Sequence, residues 1–177
     1  MKRYLTIYSI LLVCGLFIAG CGGGGGGGDS SGESPGITAL IIGSWRSDCV
    51  VAEGNSVDHI YTFNSSGQGN IKVYGYTGPG CSAQVPSHKI IYFNYSIGAT
   101  VPVTGIVDIA YEMSINRTSW EVIANGVAIL SGGGSPTEYG IVAVDNNILY
   151  TGLGVDSPNN TDAGNRPTTF SAFYTRE

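Results

Sequence analysis

Four cysteines, two histidines and thirteen carboxylates are the side chains through which this 177-residue chain could do covalent, metal or acid–base chemistry. Cys21 is the most telling of them. It follows an apolar run, residues 5–19, broken only by Thr6, Ser9 and Gly15 and preceded by Lys2 and Arg3. Basic residues, a short apolar stretch and then small residues form the layout of a secretory signal peptide. The run falls short of the ~20 apolar residues that a membrane span needs. Cys14 lies inside that signal, so Cys49 and Cys81 are the one remaining pair beside Cys21. An oxidising compartment favours a disulfide between them over free thiols. The closed loop of about 33 residues would be worth roughly 3–4 kcal/mol in the chain-entropy account. With only His59 and His88 to help, two cysteines so far apart match no zinc spacing.

Catalytic patterns are absent from the sequence. There is no Gly-x-Ser-x-Gly elbow and no His-Glu-x-x-His helix. Asp58 and His59 are neighbours, and neighbours on a strand point to opposite faces. His88 reads as a strand-end residue. Asp108 and Glu112 would stand roughly 13 Å apart along one strand face, too far for most paired-carboxylate chemistry. In the polar stretch 154–166, Asp156, Asn159, Asn160 and Asp162 offer oxygen ligands of the type calcium takes. Their spacing matches no EF-hand, and a turn-rich loop is the favoured reading. The expectation is a protein without enzymatic activity, cofactor or metal. Charge adds to it. The chain carries 8 Lys and Arg against 13 Asp and Glu. Without Lys2 and Arg3 the net charge is −7, which excludes a basic footprint for nucleic acid.

The tetrapeptide Ile18-Ala19-Gly20-Cys21 resembles the lipobox of bacterial lipoproteins. That resemblance implies lipid transfer to the Cys21 thiol, cleavage before Cys21 and acylation of the new amino terminus. It divides the chain into a signal peptide (1–20), a lipidated tether (21–36) and a folded domain (37–177). Several acyl chains hold a protein at a membrane where one does so only marginally. Gly22, in place of an Asp after the lipidated Cys, implies by analogy the outer membrane of a bacterial cell envelope. The unbroken glycines of 22–28 and the Ser, Gly and acidic residues after them cannot pack a core, so 21–36 reads as a flexible tether.

The elements that must position any site in 37–177 read as strands. Apolar residues recur with period two, not 3.6. Ile41, Gly43, Trp45, Ser47, Cys49 and Val51 would share one face of a first strand. A second strand spans 57–64, with His59, Tyr61 and Phe63 on one face. A third, 68–77, sets Ile71, Val73 and Gly75 against Lys72, Tyr74 and Tyr76. Further strands are expected over 88–97, 103–115, 120–124, 127–130, 139–144, 148–153 and 168–175. Asn125-Gly126 and Asp145-Asn146-Asn147 are hairpin signals. No amphipathic helix is expected. Eight to ten short antiparallel strands point to an all-β fold, an up-and-down barrel or else a sandwich.

Gly43-Ser44-Trp45 on the first strand resembles the Gly-x-Trp signature of the lipocalins and wider calycins, and Thr137-Glu138-Tyr139 loosely resembles their late Thr-Asp-Tyr motif. The resemblance implies a barrel closed at one end by Trp45, with a late arginine, Arg176 rather than Arg166, packed across it. Tyr74, Tyr76, Tyr92, Tyr95 and Tyr111 all fall on strands. Those that face inward would suit an apolar ligand with a polar handle. The expected function is therefore binding without catalysis: a small apolar ligand inside a membrane-anchored barrel. The alternative is a filled barrel that engages, or inhibits, a protein of the cell envelope.

Overall fold

The computed structural model describes residues 35–105, 107–152 and 161–177. Cys21, the signal peptide and most of the tether lie outside the described residues, as do Asp156, Asn159 and Asn160.

The described chain is all-β with one short α-helix, α1 (Pro35–Ile41). Ten strands follow it. They are β1 (Gly43–Ser47), β2 (Val50–Ala52), β3 (Asn55–Phe63), β4 (Gln68–Tyr76), β5 (Gln84–Pro102), β6 (Ile109–Ala124), β7 (Val127–Gly133), β8 (Glu138–Asp145), β9 (Ile148–Thr151) and β10 (Ala172–Arg176). Each pairs antiparallel with its neighbours in the order β1-β3-β4-β5-β6-β8-β9-β10, and β10 returns to β1. The sheet therefore closes into an eight-stranded up-and-down barrel. Closure removes the open edges that invite stray pairing. The two further strands extend ring strands: β2 follows β1 along the same edge of β3, and β7 precedes β8 along the same edge of β6.

The hairpins form where the turn chemistry demands. Asn125 and Gly126 have φ of +51° and +78°, and Asn146 and Asn147 have +48° and +62°. Positive φ at both central residues gives the turn whose twist matches the flanking strands.

Three expectations are corrected. Residues 35–41 are helical, so the helix begins inside the stretch read as tether and includes Ile41. Its Ile37 and Ile41 are 2% and 0% exposed, packed into the end of the barrel. A seven-residue helix is too short to show a periodic stripe in sequence, and tertiary burial holds it. The first strand is two, because the chain is interrupted at Asp48 and Cys49 and β2 resumes one residue out of register along the same edge of β3. Residues 120–124 are not a separate strand but the end of the sixteen-residue β6. Its start is Ile109, and Val103 and Val107 instead pack on a second small cluster of Ala110, Ile141, Ala143 and Tyr150.

The main core fills the barrel. Trp45, Phe63, Phe93, Met113, Ile115 and Leu149 are at most 2% exposed. Gly69 makes room for it, since a Cβ there would lie 2.5 Å from the Phe93 ring.

Candidate functional site

One end of the barrel is a plug. The Trp45 indole N–H donates to the Ile41 carbonyl at 2.7 Å. The Arg176 guanidinium lies 4.2 Å from the centre of the Trp45 ring. It also donates to the carbonyls of Leu40 at 2.5 Å and Ile42 at 3.2 Å, where α1 ends. Gly43 sits beside it with φ +127°, and a Cβ there would come within 3.3 Å of Arg176 Nη1. Gly43, Trp45 and Arg176 are thus brought together. Arg166 is elsewhere: it donates to the carbonyls of Met113 and Gly140 and lies 3.4 Å from Glu112.

Above the plug comes an aromatic layer. Tyr61 packs edge-on to Tyr174, with centroids 4.9 Å apart, and Phe63 packs edge-on to Tyr95 at 5.1 Å. Burial holds the Tyr61 phenol well above its ordinary titration range, and the neighbouring Tyr174 adds to this. Tyr174 is raised by burial as well. Both stay neutral hydroxyls at physiological pH.

The other end is built differently. Residues directly opposite one another in an antiparallel pair share a face. Ile71 belongs to the core, Ile91 pairs with Ile71, Trp120 with Ile91, and Gly132 with Trp120. A second row runs Val73, Lys89, Val122 and Leu130, with His59 opposite Val73 on β3. A third takes Phe93 to Arg117, because a bulge after Tyr92 shifts the register. Glu138 joins the same face opposite Ile115. Tyr61, Ile91, Trp120, Ala172, His59, Lys89, Arg117 and Glu138 thus face the lumen, yet all are only half-buried. The interior is dry at the Trp45 end and reached by solvent at this one.

The mouth is amphipathic. Tyr61, Ile91 and Ala172 pack on the core from above. The Trp120 ring closes over Gly132, where a Cβ would lie 2.5 Å away, and Lys89 Nζ is 4.8 Å from the ring centre. Arg117 and Glu138 form an ion pair at 3.0 Å. Burial pushes the Glu138 carboxyl up, and Arg117 only partly offsets that. Arg117 Nε is buried without a hydrogen-bond partner among the described residues. A buried donor left unmatched is costly. His59 is pushed down by burial, against a weaker opposing pull from Asp58.

The tyrosines singled out from sequence are divided by register. Tyr95 faces inward, where its hydroxyl donates to the Asn64 carbonyl at 2.7 Å, and Tyr111 packs on the core. Tyr74, Tyr76 and Tyr92 face outward. Tyr74 stacks on His88 at 5.2 Å, and Tyr92 donates to Glu121. Tyr76 donates to Asp58 at 3.0 Å, and Asp58 also accepts from Arg46 Nε at 3.0 Å. The five do not line one pocket. Of the mouth residues, the sequence marks Tyr61 only by its strand face and Glu138 only by its motif, and the third row cannot be found from alternation, because the β6 bulge reverses its phase.

Cys49 and Cys81 form the disulfide. It closes a flap over the outer face of β3. Ser56 accepts from the Cys81 amide at 3.1 Å and donates to the Gly78 carbonyl at 2.8 Å, so Ser56 and Asp58 are buried beneath it. Asp58 and His59 do point to opposite faces. Asp162 caps a short 3-10 turn (Ala163–Asn165), its carboxylate accepting from the Gly164 amide at 2.8 Å. Among the described residues no three His, Cys, Asp or Glu side chains gather as a metal site would require. None of the described helices is long and apolar enough to cross a membrane.

No protein-family model matches the chain, and no curated protein matches it either. The geometry alone carries the functional reading.

Proposed function

We propose that this protein is a non-catalytic binding barrel of lipocalin-like design, which takes a small apolar ligand with a polar handle into its open mouth. One observation carries the reading: side chains on the same inner face are sealed at one end and half-buried at the other, where they are largely aromatic and aliphatic. Ligand sites combine apolar walls with a few placed polar groups. Here Tyr61, Ile91, Trp120 and Ala172 would supply the walls. The unmatched Arg117 Nε and the Glu138 carboxylate would meet the handle. Because Glu138 already offsets the Arg117 charge, an uncharged hydroxyl or carbonyl suits the site better than a free carboxylate. The Trp45–Arg176 plug supports the lipocalin-like reading, since that pair is what the resemblance implies. We further propose that Cys21 is lipidated and holds the domain at the surface of a bacterial membrane, the outer membrane by the analogy drawn from Gly22.

The test uses the uncharged dye N-phenyl-1-naphthylamine. Saturable binding is expected, with energy transfer from tryptophan that Trp120→Phe removes while the buried Trp45 stays in place. Trp120→Ala should weaken binding at least tenfold, and the outward Tyr92→Phe should leave it unchanged. Dye uptake that does not saturate, together with no copurifying small molecule by native mass spectrometry, would overturn the reading.

A further inference from the structure

Arg117 and Glu138 stand at the foot of the mouth, with side chains 21% and 14% exposed. Their ion pair joins Arg117 Nη2 to Glu138 Oε2. Arg117 Nε stays a buried donor without a partner among the described residues. A guanidinium can only donate, and an ionised carboxylate can only accept. Carboxylate oxygens carry several lone-pair sites, so the bond from Arg117 leaves acceptor capacity on Glu138. The pair therefore offers a donor and an acceptor side by side.

That combination sorts the polar handles. A hydroxyl oxygen both takes and gives a hydrogen bond, so it can accept from Arg117 and donate to Glu138. A ketone or ester oxygen only accepts. It would meet the guanidinium but strip water from the carboxylate without replacing it, which is costly. A ligand carboxylate adds like-charge repulsion against Glu138. An ammonium is repelled by Arg117 and has no lone pair for Nε.

The apolar walls describe the rest of the ligand. Below the pair the barrel is filled by Trp45, Phe63, Phe93 and Met113, each at most 2% exposed, which leaves no room for a tail. Open apolar surface runs the other way, up β6 and β7. Trp120 stands opposite Gly132, Val122 opposite Leu130, and Ala124 opposite Val127. Leu130 and Val127 are 49% and 63% exposed although register puts them on the inner face. From the Arg117 level to the Ala124 level, β5 passes from Phe93 to Ser87, a rise of roughly 20 Å. A flexible aliphatic chain covers a track of that length and composition.

We infer that the ligand is a long-chain aliphatic alcohol. Its hydroxyl lies between Arg117 and Glu138, and its chain runs up the inner face to Leu130 and Val127. The assignment narrows the binding reading above and rests on it.

Competition against N-phenyl-1-naphthylamine on the full-length protein tests it, with decanol, 2-decanone and decanoate as competitors. Decanol should displace the dye at a concentration at least tenfold below either of the others, because a hydrogen bond to a charged group is at stake. Decanol should also bind at least threefold tighter than octanol, since each buried methylene adds affinity. Leu130→Asp should at least halve that gain. Glu138→Gln should cut the advantage of decanol over 2-decanone at least fivefold, because an amide can donate to a ketone. Formation of the Cys49–Cys81 bridge, read by mass, confirms the fold of each variant, and the competitor series on the unaltered protein needs no variant. Equal displacement by all three compounds, or a preference for 2-decanone or decanoate, would overturn the alcohol and leave the binding reading standing. No gain from octanol to decanol would overturn the placement of the chain. Dye uptake that neither saturates nor yields to any competitor would sink both readings.

Discussion

At the scale of single residues, the plug shows how three positions far apart in sequence share one task. Trp45 fills the barrel end and is wholly buried. Arg176 roofs its ring and satisfies two carbonyls at the end of α1, which would otherwise lack partners. Gly43 leaves the space that the guanidinium occupies. The two side chains should differ in weight. Trp45→Ala removes a large buried ring and should cost about 3–5 kcal/mol. Arg176 is exposed to solvent, which weakens its charge, so Arg176→Ala should cost only about 1 kcal/mol. Arg176→Lys should recover less than half of that, since an ammonium cannot lie flat on the ring while reaching both carbonyls. Urea denaturation of the three variants checks the order. Trp45 and Gly43 were legible as a motif, and Arg176 as its partner only through the lipocalin resemblance. Arg117 was not legible, because a bulge decides which way it faces, and Glu138 was legible only as part of its motif.

At the scale of elements, the disulfide flap and the long hairpin matter most. β2 is three residues long, and Val50 and Val51 are more than half exposed. So short an edge strand contributes little hydrophobic burial of its own. β2 pairs with the edge of β3, and the Cys49–Cys81 bridge beside it ties the loop before β5 over the outer face of β3. The bridged residues are 32 apart, so Cys49→Ser with Cys81→Ser should lower stability by roughly 3–4 kcal/mol. Chemical denaturation of the paired variant against the parent checks this. Amide exchange at Ser56 and Asp58 should rise in the same variant, because the cover over them is lost. The strand pattern was readable over most of the barrel, since apolar alternation marks a half-buried strand. It failed where the first strand slips one residue in register at Asp48 and Cys49, and where two predicted strands proved to be one continuous β6. Alternation says which residues share a face, but it carries no signal for where the chain bends away from its partner.

At the scale of the whole molecule, the barrel couples a dry end to a wet one, and pH should act through the wet end. His59 faces the lumen with its titration pushed below the ordinary value of 6.5 by burial. His88, stacked on Tyr74 outside the barrel, is shifted the same way by burial and by nearby Lys72. A depressed histidine favours its neutral form in the fold. Its stabilising contribution is present above pH 6.5 and is lost as pH falls through the folded value. Glu138 is raised by burial, so its contribution is present below its ordinary value of 4.5 and is lost as pH rises through the folded value. The thermal midpoint should therefore fall as pH drops from 7.5 toward 5.5, through the histidines. His59→Gln should flatten that slope more than His88→Gln, because His59 lies deeper. Differential scanning calorimetry across the range reads the outcome.

The sequence by itself determined the all-β class, the hairpin turns and the disulfide pair. Those follow from local rules: a two-residue period, positive φ at Asn and Gly, and a count of cysteines. Tertiary structure alone decided which tyrosines face the lumen, that α1 plugs the barrel, and that β7 extends the line of β8 along β6. Each depends on register and on the path of closure, which are set by contacts between residues distant in sequence, and no local pattern encodes them.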